Sequence, residues 1–195
     1  MENPHKFMSP KWYEWTHKEA QSCHDVFMQW VVNNCQSLDR VIEVGCGKHA
    51  FYADYFIDTI YAGLDIDKDV FAYRNDNCPK VTYCGDVLTW REETAELVFS
   101  RSVIDHMEDP DAFIRSCLEL STRYVYIMNY RGYFADIEQH RGEHRANGFW
   151  YTDISVRQIE HLLSLMPVKY DVNCICTGRK APEIKQETHI IIEKL

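Results

Sequence analysis

The chain has 195 residues, a mass of 23.1 kDa and a hydrophobic fraction of 46%, the size and composition of one globular domain. With 21 Lys and Arg against 30 Asp and Glu, the formal net charge is −9, which argues against nucleic acid as the main partner. No apolar run reaches the ~18–20 residues of a membrane helix, and the N-terminus lacks the layout of a secretion signal.

The eight cysteines show no C-x-x-C pair, so reduced thiols and a cytoplasmic location are expected. Trp12, Trp15, Cys23, Val26, Phe27, Trp30 and Val31 recur at helical steps, which predicts helix over 11–36 and an N-terminal helical cap over 1–38. The remainder, 39–195, reads as the main body of the same domain. Strands are expected at Arg40–Gly45, Thr59–Asp65, Lys80–Cys84, Glu96–Ser100 and Tyr124–Met128, with segments of helical length between most of them. Asp109 followed by Pro110 predicts a capped helix over about 110–121. Ser155 with Gln158 forms a capping-box pattern, and Val156, Ile159, Leu163 and Met166 continue on one face. Lys169–Thr177 and Thr188–Glu193 then read as a terminal hairpin. The expected fold is α/β: a Rossmann-like, doubly wound, mostly parallel sheet with an antiparallel C-terminal hairpin.

In such a sheet, ligands bind beyond the carboxyl ends of the strands. Glu43-Val44-Gly45-Cys46-Gly47 follows the first strand there, and the glycines permit a tight turn and close backbone approach. Asp65 ends the second strand 18 residues after Gly47, where a carboxylate can accept from ribose hydroxyls. A nucleoside-containing ligand follows. Gly45, Gly47 and Ala50 also satisfy the loose dinucleotide pattern G-x-G-x-x-G/A, so a nicotinamide-dependent oxidoreductase is an alternative. Against it, no Tyr is followed four positions later by Lys.

The stretch around Glu43 resembles the first motif of the class I S-adenosylmethionine-dependent methyltransferases, with an acidic residue two before the first glycine. Leu64-Asp65-Ile66-Asp67, Gly85-Asp86-Val87 and Glu96–Ser100 resemble the second, third and fourth motifs. Ser102–Pro110 is similar to the stretch that follows in the small type 11 methyltransferases. The resemblance implies S-adenosyl-L-methionine as cofactor. It implies that Glu43 orders the loop while Gly45, Cys46 and Gly47 meet the methionine end. Asp65 would hold the ribose and Ile66 the adenine face. Asp86 would accept from the adenine amino group, with Val87 beside it, and Ser100 and Arg101 would lie under the sulfonium. His49 departs from the family, which often has a glycine there, so a cofactor-binding protein without turnover is a further alternative.

More than 20 residues separate the fifth strand from Ser155, read as a long loop over the acceptor side. Tyr130, Arg131, Tyr133, Trp150 and Tyr151 are its candidate substrate-binding residues, and Tyr13, with Trp12 and Trp15, is a candidate to close the pocket. His106 is the first candidate for a general base, followed by His140 and His144. His140 to His144 also spells H-x-x-E-H, but Gly142 inside it opposes a metal-binding helix, and no metal is expected. The expected function is methyl transfer to an oxygen or nitrogen of a small-molecule acceptor, such as a sugar or natural product. Neither nucleic acid nor membrane is an expected partner.

Overall fold

A computed structural model describes residues 23–35, 37–47, 50, 52–68, 81–146, 148–178 and 185–195. Its first element is helix α1, over 23–34, where Cys23, Phe27 and Val31 recur four apart and are buried. Five strands follow: β1 (Arg40–Val44), β2 (Ile60–Asp65), β3 (Val81–Cys84), β4 (Ala95–Arg101) and β5 (Ser121–Asn129). They lie within three residues of the expected bounds. Between β4 and β5 stands α2 (Pro110–Leu120), whose Asp109 side chain accepts the Ala112 N–H at 3.0 Å. The chain ends with α3 (Val156–Ser164), β9 (Tyr170–Cys176) and β10 (Thr188–Lys194).

The sheet order is β3-β2-β1-β4-β5-β10-β9. β1 to β5 run parallel, while β10 is antiparallel to both β5 and β9. Both faces are covered, as a parallel sheet requires. Period-two alternation divides the side chains: Ile42, Val44, Val98, Val125, Ile127 and Ile190 join α2 and α3 in one core. Val41, Leu97, Phe99, Tyr126 and Met128 pack under α1 in the other, where the Phe27 ring lies 4.8 Å from both Phe99 and Tyr126. The strand order reverses between β1 and β4, so their carboxyl ends open a crevice between the loops that follow them.

The long acceptor loop is not loop. Residues 133–155 form a second, three-stranded sheet, β6 (Tyr133–Phe134), β7 (Arg141–His144) and β8 (Trp150–Ser155), in the order β6-β8-β7. β7 is exposed along its whole length, so it has no apolar alternation to read, and backbone pairing with β8 holds it. The expected reciprocal capping box is also half present. Ser155 Oγ accepts the Gln158 N–H at 3.2 Å, but the Ser155 N–H goes to His140 Nδ1 at 3.0 Å. The Gln158 side chain instead accepts from the His140 N–H and donates to Asp111.

No helix among the described residues is long and apolar enough to cross a membrane. The described cysteines are all free thiols.

Candidate functional site

The turn after β1 requires glycine. Gly45 has φ +73°, and a Cβ there would lie 2.3 Å from Val103 Cγ2. Its N–H donates to the Leu64 carbonyl at 2.7 Å, which pins the turn to the end of β2. Gly47, φ +61°, is different: a Cβ would meet nothing within 4 Å among the described residues.

Asp65 joins the two strand ends. One carboxylate oxygen accepts the Gly47 N–H at 2.9 Å and the other accepts the Asp67 N–H at 2.9 Å. Each oxygen keeps a further lone pair for a ligand hydroxyl. Beside it Ile66 is 60% exposed, a large apolar side chain at the rim. The next strand end is tied in as well, since the Gly85 N–H donates to the Asp65 carbonyl at 2.9 Å. Asp86 accepts the Leu88 N–H with one oxygen, and Val87 turns into the core.

Under this rim lie polar groups. Glu43 is buried and accepts from the Tyr61 hydroxyl on the neighbouring strand. Cys46 is buried in the core beneath α1. Ser100 is buried, and its hydroxyl meets no partner among the described residues. The Arg101 guanidinium stands 5.8 Å from the Tyr52 ring centroid, with Tyr130, Glu43 and Cys23 around it. Ser102 then takes φ +53°, a left-handed conformation that a serine adopts at a cost of about 1–2 kcal/mol, and its N–H donates to the Met128 carbonyl at 3.0 Å.

The short 3-10 turn Ile104–His106 carries two titratable groups. Asp105 is 2% exposed and accepts the Tyr130 N–H at 3.0 Å. Burial pushes its pKa up to about 6, against the opposing pull of His106 and two backbone amides. His106 Nδ1 lies 2.9 Å from the Trp150 carbonyl oxygen. A carbonyl only accepts, so in the neutral ring Nδ1 carries the proton and Nε2 presents a lone pair.

The β6–β8 sheet brings one of the acceptor candidates, Tyr151, to this histidine. Tyr151 stacks edge-on against His106 at 5.3 Å, and Phe149 lies 5.5 Å away. The Arg145 guanidinium lies 4.1 Å over the Tyr151 ring and Arg131 lies 5.9 Å from it. Arg131 also pairs with one Asp153 oxygen at 3.1 Å, and Lys185 pairs with the other. Trp150 faces His144 at 5.3 Å at the exposed end of β7, and Tyr133 pairs with Ile154 and packs on the core. His140 is engaged at both nitrogens, with Ser155 and with Asp111 at 3.1 Å, an anchor between the small sheet and α2. The backbone over 141–144 is extended, where residues four apart lie about 13 Å from each other, so the H-x-x-E-H spacing forms no helical metal face. His49, Trp12, Tyr13 and Trp15 lie outside the described residues. Phe149, Arg145 and Asp105 are the neighbours that motif reading missed; only Asp105, adjacent to His106, had a signal in the sequence.

Residues 42–122 match the family model described as a methyltransferase domain. No curated protein matches the chain by sequence. Among solved structures, the chain is similar to magnesium protoporphyrin IX methyltransferase from Synechocystis PCC 6803 with bound S-adenosylmethionine. The identity is 13%, covering 91% of this chain and 80% of that one, with a TM-score of 0.65. It is also similar to an S-adenosylmethionine-dependent methyltransferase from Clostridium acetobutylicum ATCC 824, at 8% identity, covering 94% and 99% with a TM-score of 0.65. The N-methyltransferase NodS from Bradyrhizobium japonicum WM9, in complex with S-adenosylhomocysteine, aligns at 10% identity over 89% and 86%, TM-score 0.63. Residues 42–122 thus match a methyltransferase domain, and the chain as a whole has the fold of the class I S-adenosylmethionine-dependent methyltransferases.

Proposed function

We propose that this chain transfers a methyl group from S-adenosylmethionine to an oxygen or nitrogen of a small-molecule acceptor. The observation that carries the reading is Asp65, whose carboxylate bridges the Gly47 and Asp67 amides at the crevice and keeps lone pairs for two vicinal hydroxyls. Gly47, whose Cβ position meets no described residue within 4 Å, and the exposed Ile66 support the same ligand: backbone approach at one end, an apolar face for adenine at the other.

When bound, S-adenosylmethionine supplies an electrophilic methyl group on a sulfonium. The protein's part is to align the acceptor for in-line attack and to exclude water. Tyr151 and Phe149 supply apolar walls beside His106, and Arg131 and Arg145 supply cationic donors to acceptor oxygens. An acceptor that took the methyl group would have to lose a proton. His106 Nε2 takes that proton, while the Trp150 carbonyl steadies the imidazolium through Nδ1–H.

The experiment is a thermal-shift titration with S-adenosylhomocysteine beside a nicotinamide dinucleotide. S-adenosylhomocysteine should raise the melting temperature increasingly as it exceeds its dissociation constant. A shift with the dinucleotide alone would replace the reading with an oxidoreductase.

A further inference from the structure

Three side chains of different chemistry meet between α1 and the β5–β10 strand pair. Cys23 comes from α1, Glu187 immediately precedes β10, and His189 stands within it; all three are 0% exposed. Cys23 Sγ lies 3.5 Å from His189 Nε2, and Glu187 Oε1 lies 3.7 Å from the same nitrogen. The three ligand atoms are all within 4.8 Å of one another.

From this geometry we propose that Cys23, Glu187 and His189 bind one zinc(II) ion. Metal–ligand bonds of about 2.0–2.3 Å at tetrahedral angles put neighbouring ligand atoms about 3.3–3.6 Å apart. The sulfur–nitrogen distance of 3.5 Å falls in that range, and the nitrogen–oxygen distance of 3.7 Å exceeds the about 3.3 Å of two such short bonds by about 0.4 Å. A separation of 3.7 Å is too long for a hydrogen bond, and a closure of about 0.4 Å lets the two groups share one ion. The ligand set, one thiolate, one imidazole and one carboxylate, suits a borderline-soft ion better than magnesium or calcium.

A further contact orients the imidazole. Tyr126 Oη lies 2.6 Å from His189 Nδ1, so with Nε2 on a metal the Nδ1–H donates to the tyrosine. Tyr130, the first residue after β5, hydrogen-bonds Cys23 and connects the cluster to the segment that carries the acceptor candidates. Three protein ligands leave a fourth tetrahedral position for water or another small ligand.

The test is metal titration of the full chain after removal of bound metal with a chelator, using zinc(II) and cobalt(II) alone as probes. One equivalent should bind, and cobalt should give the intense visible bands of a tetrahedral site with a thiolate-to-metal charge-transfer band. Cys23→Ser, nearly isosteric and therefore the decisive variant, should lose the charge-transfer band. His189→Ala and Glu187→Gln should each weaken zinc on the order of 100-fold or more, and Tyr126→Phe roughly 10–100-fold. Circular dichroism on each variant separates loss of a ligand from loss of fold. No stoichiometric binding by the folded wild type would overturn the proposal. So would a charge-transfer band that survives in Cys23→Ser, which would assign the metal to exposed thiols such as Cys174 and Cys176.

Discussion

Replacing Asp65 by alanine removes two kinds of interaction at once, and they are separable. In the free protein the carboxylate accepts two backbone N–H groups at 2.9 Å each, from Gly47 and Asp67. Both amides sit at a partly exposed edge where water can replace the carboxylate, so the stability cost should be modest, about 1–2 kcal/mol. In the complex the same carboxylate would hold the ribose hydroxyls through charge-assisted bonds. Losing that pair should weaken S-adenosylhomocysteine by ~1.5–3 kcal/mol, which is roughly 10–150-fold in dissociation constant. Asp65→Asn keeps one acceptor oxygen and loses the charge, so its affinity should fall between the two. Calorimetric titration on protein shown to be folded by its melting transition measures the affinity. An Asp65→Ala variant that folds and binds S-adenosylhomocysteine as tightly as wild type would refute the assignment of this carboxylate to the ribose.

His106→Ala should lower the rate with a hydroxyl acceptor by ~10²–10⁴-fold and leave S-adenosylhomocysteine affinity unchanged; a parallel fall in both would make His106 a packing residue. Burial raises the Asp105 pKa from 3.8 to about 6, so the folded state holds this proton more tightly than the unfolded chain does. That contribution is complete below pH ~4 and is lost as pH rises through about 6. Asp105→Asn, which keeps an acceptor for the Tyr130 N–H, should therefore gain stability relative to wild type across that window. Melting curves from pH 4 to 7 that stay a constant distance apart would contradict it. Gly45→Ala meets both a φ of +73° and a 2.3 Å approach to Val103 Cγ2, and should cost ~2–4 kcal/mol in denaturant unfolding. Adding Val103→Ala should recover the steric part only, and full recovery would show that the backbone conformation carries no cost.

The sheet was legible because each inner strand is a short apolar run that ends at a residue with a role, such as Gly45 after β1 or Asp65 on β2. The crevice was legible for the same reason: its residues are close in sequence to strand ends, and local spacing encodes them. The small sheet was not legible, because Arg141–His144 is polar on both faces and is specified by its partner strand. His140 illustrates the same limit. Within a histidine-rich stretch it looks like chemistry, yet its nitrogens meet Ser155 and Asp111, 15 and 29 positions away. The Cys23–Glu187–His189 cluster lies further from any motif, joining residues 166 positions apart that only the closed fold brings together.

The most direct measurement of methyl transfer follows the methyl group itself. The purified chain is incubated with S-adenosylmethionine carrying a labelled methyl group and a panel of phenols, hydroxylated sugars and small amines. Label should appear on an oxygen or nitrogen of at least one acceptor, with one S-adenosylhomocysteine formed for each methyl moved. Saturable S-adenosylhomocysteine binding with no labelled acceptor anywhere in the panel would contradict it, and would make the chain a cofactor-binding protein.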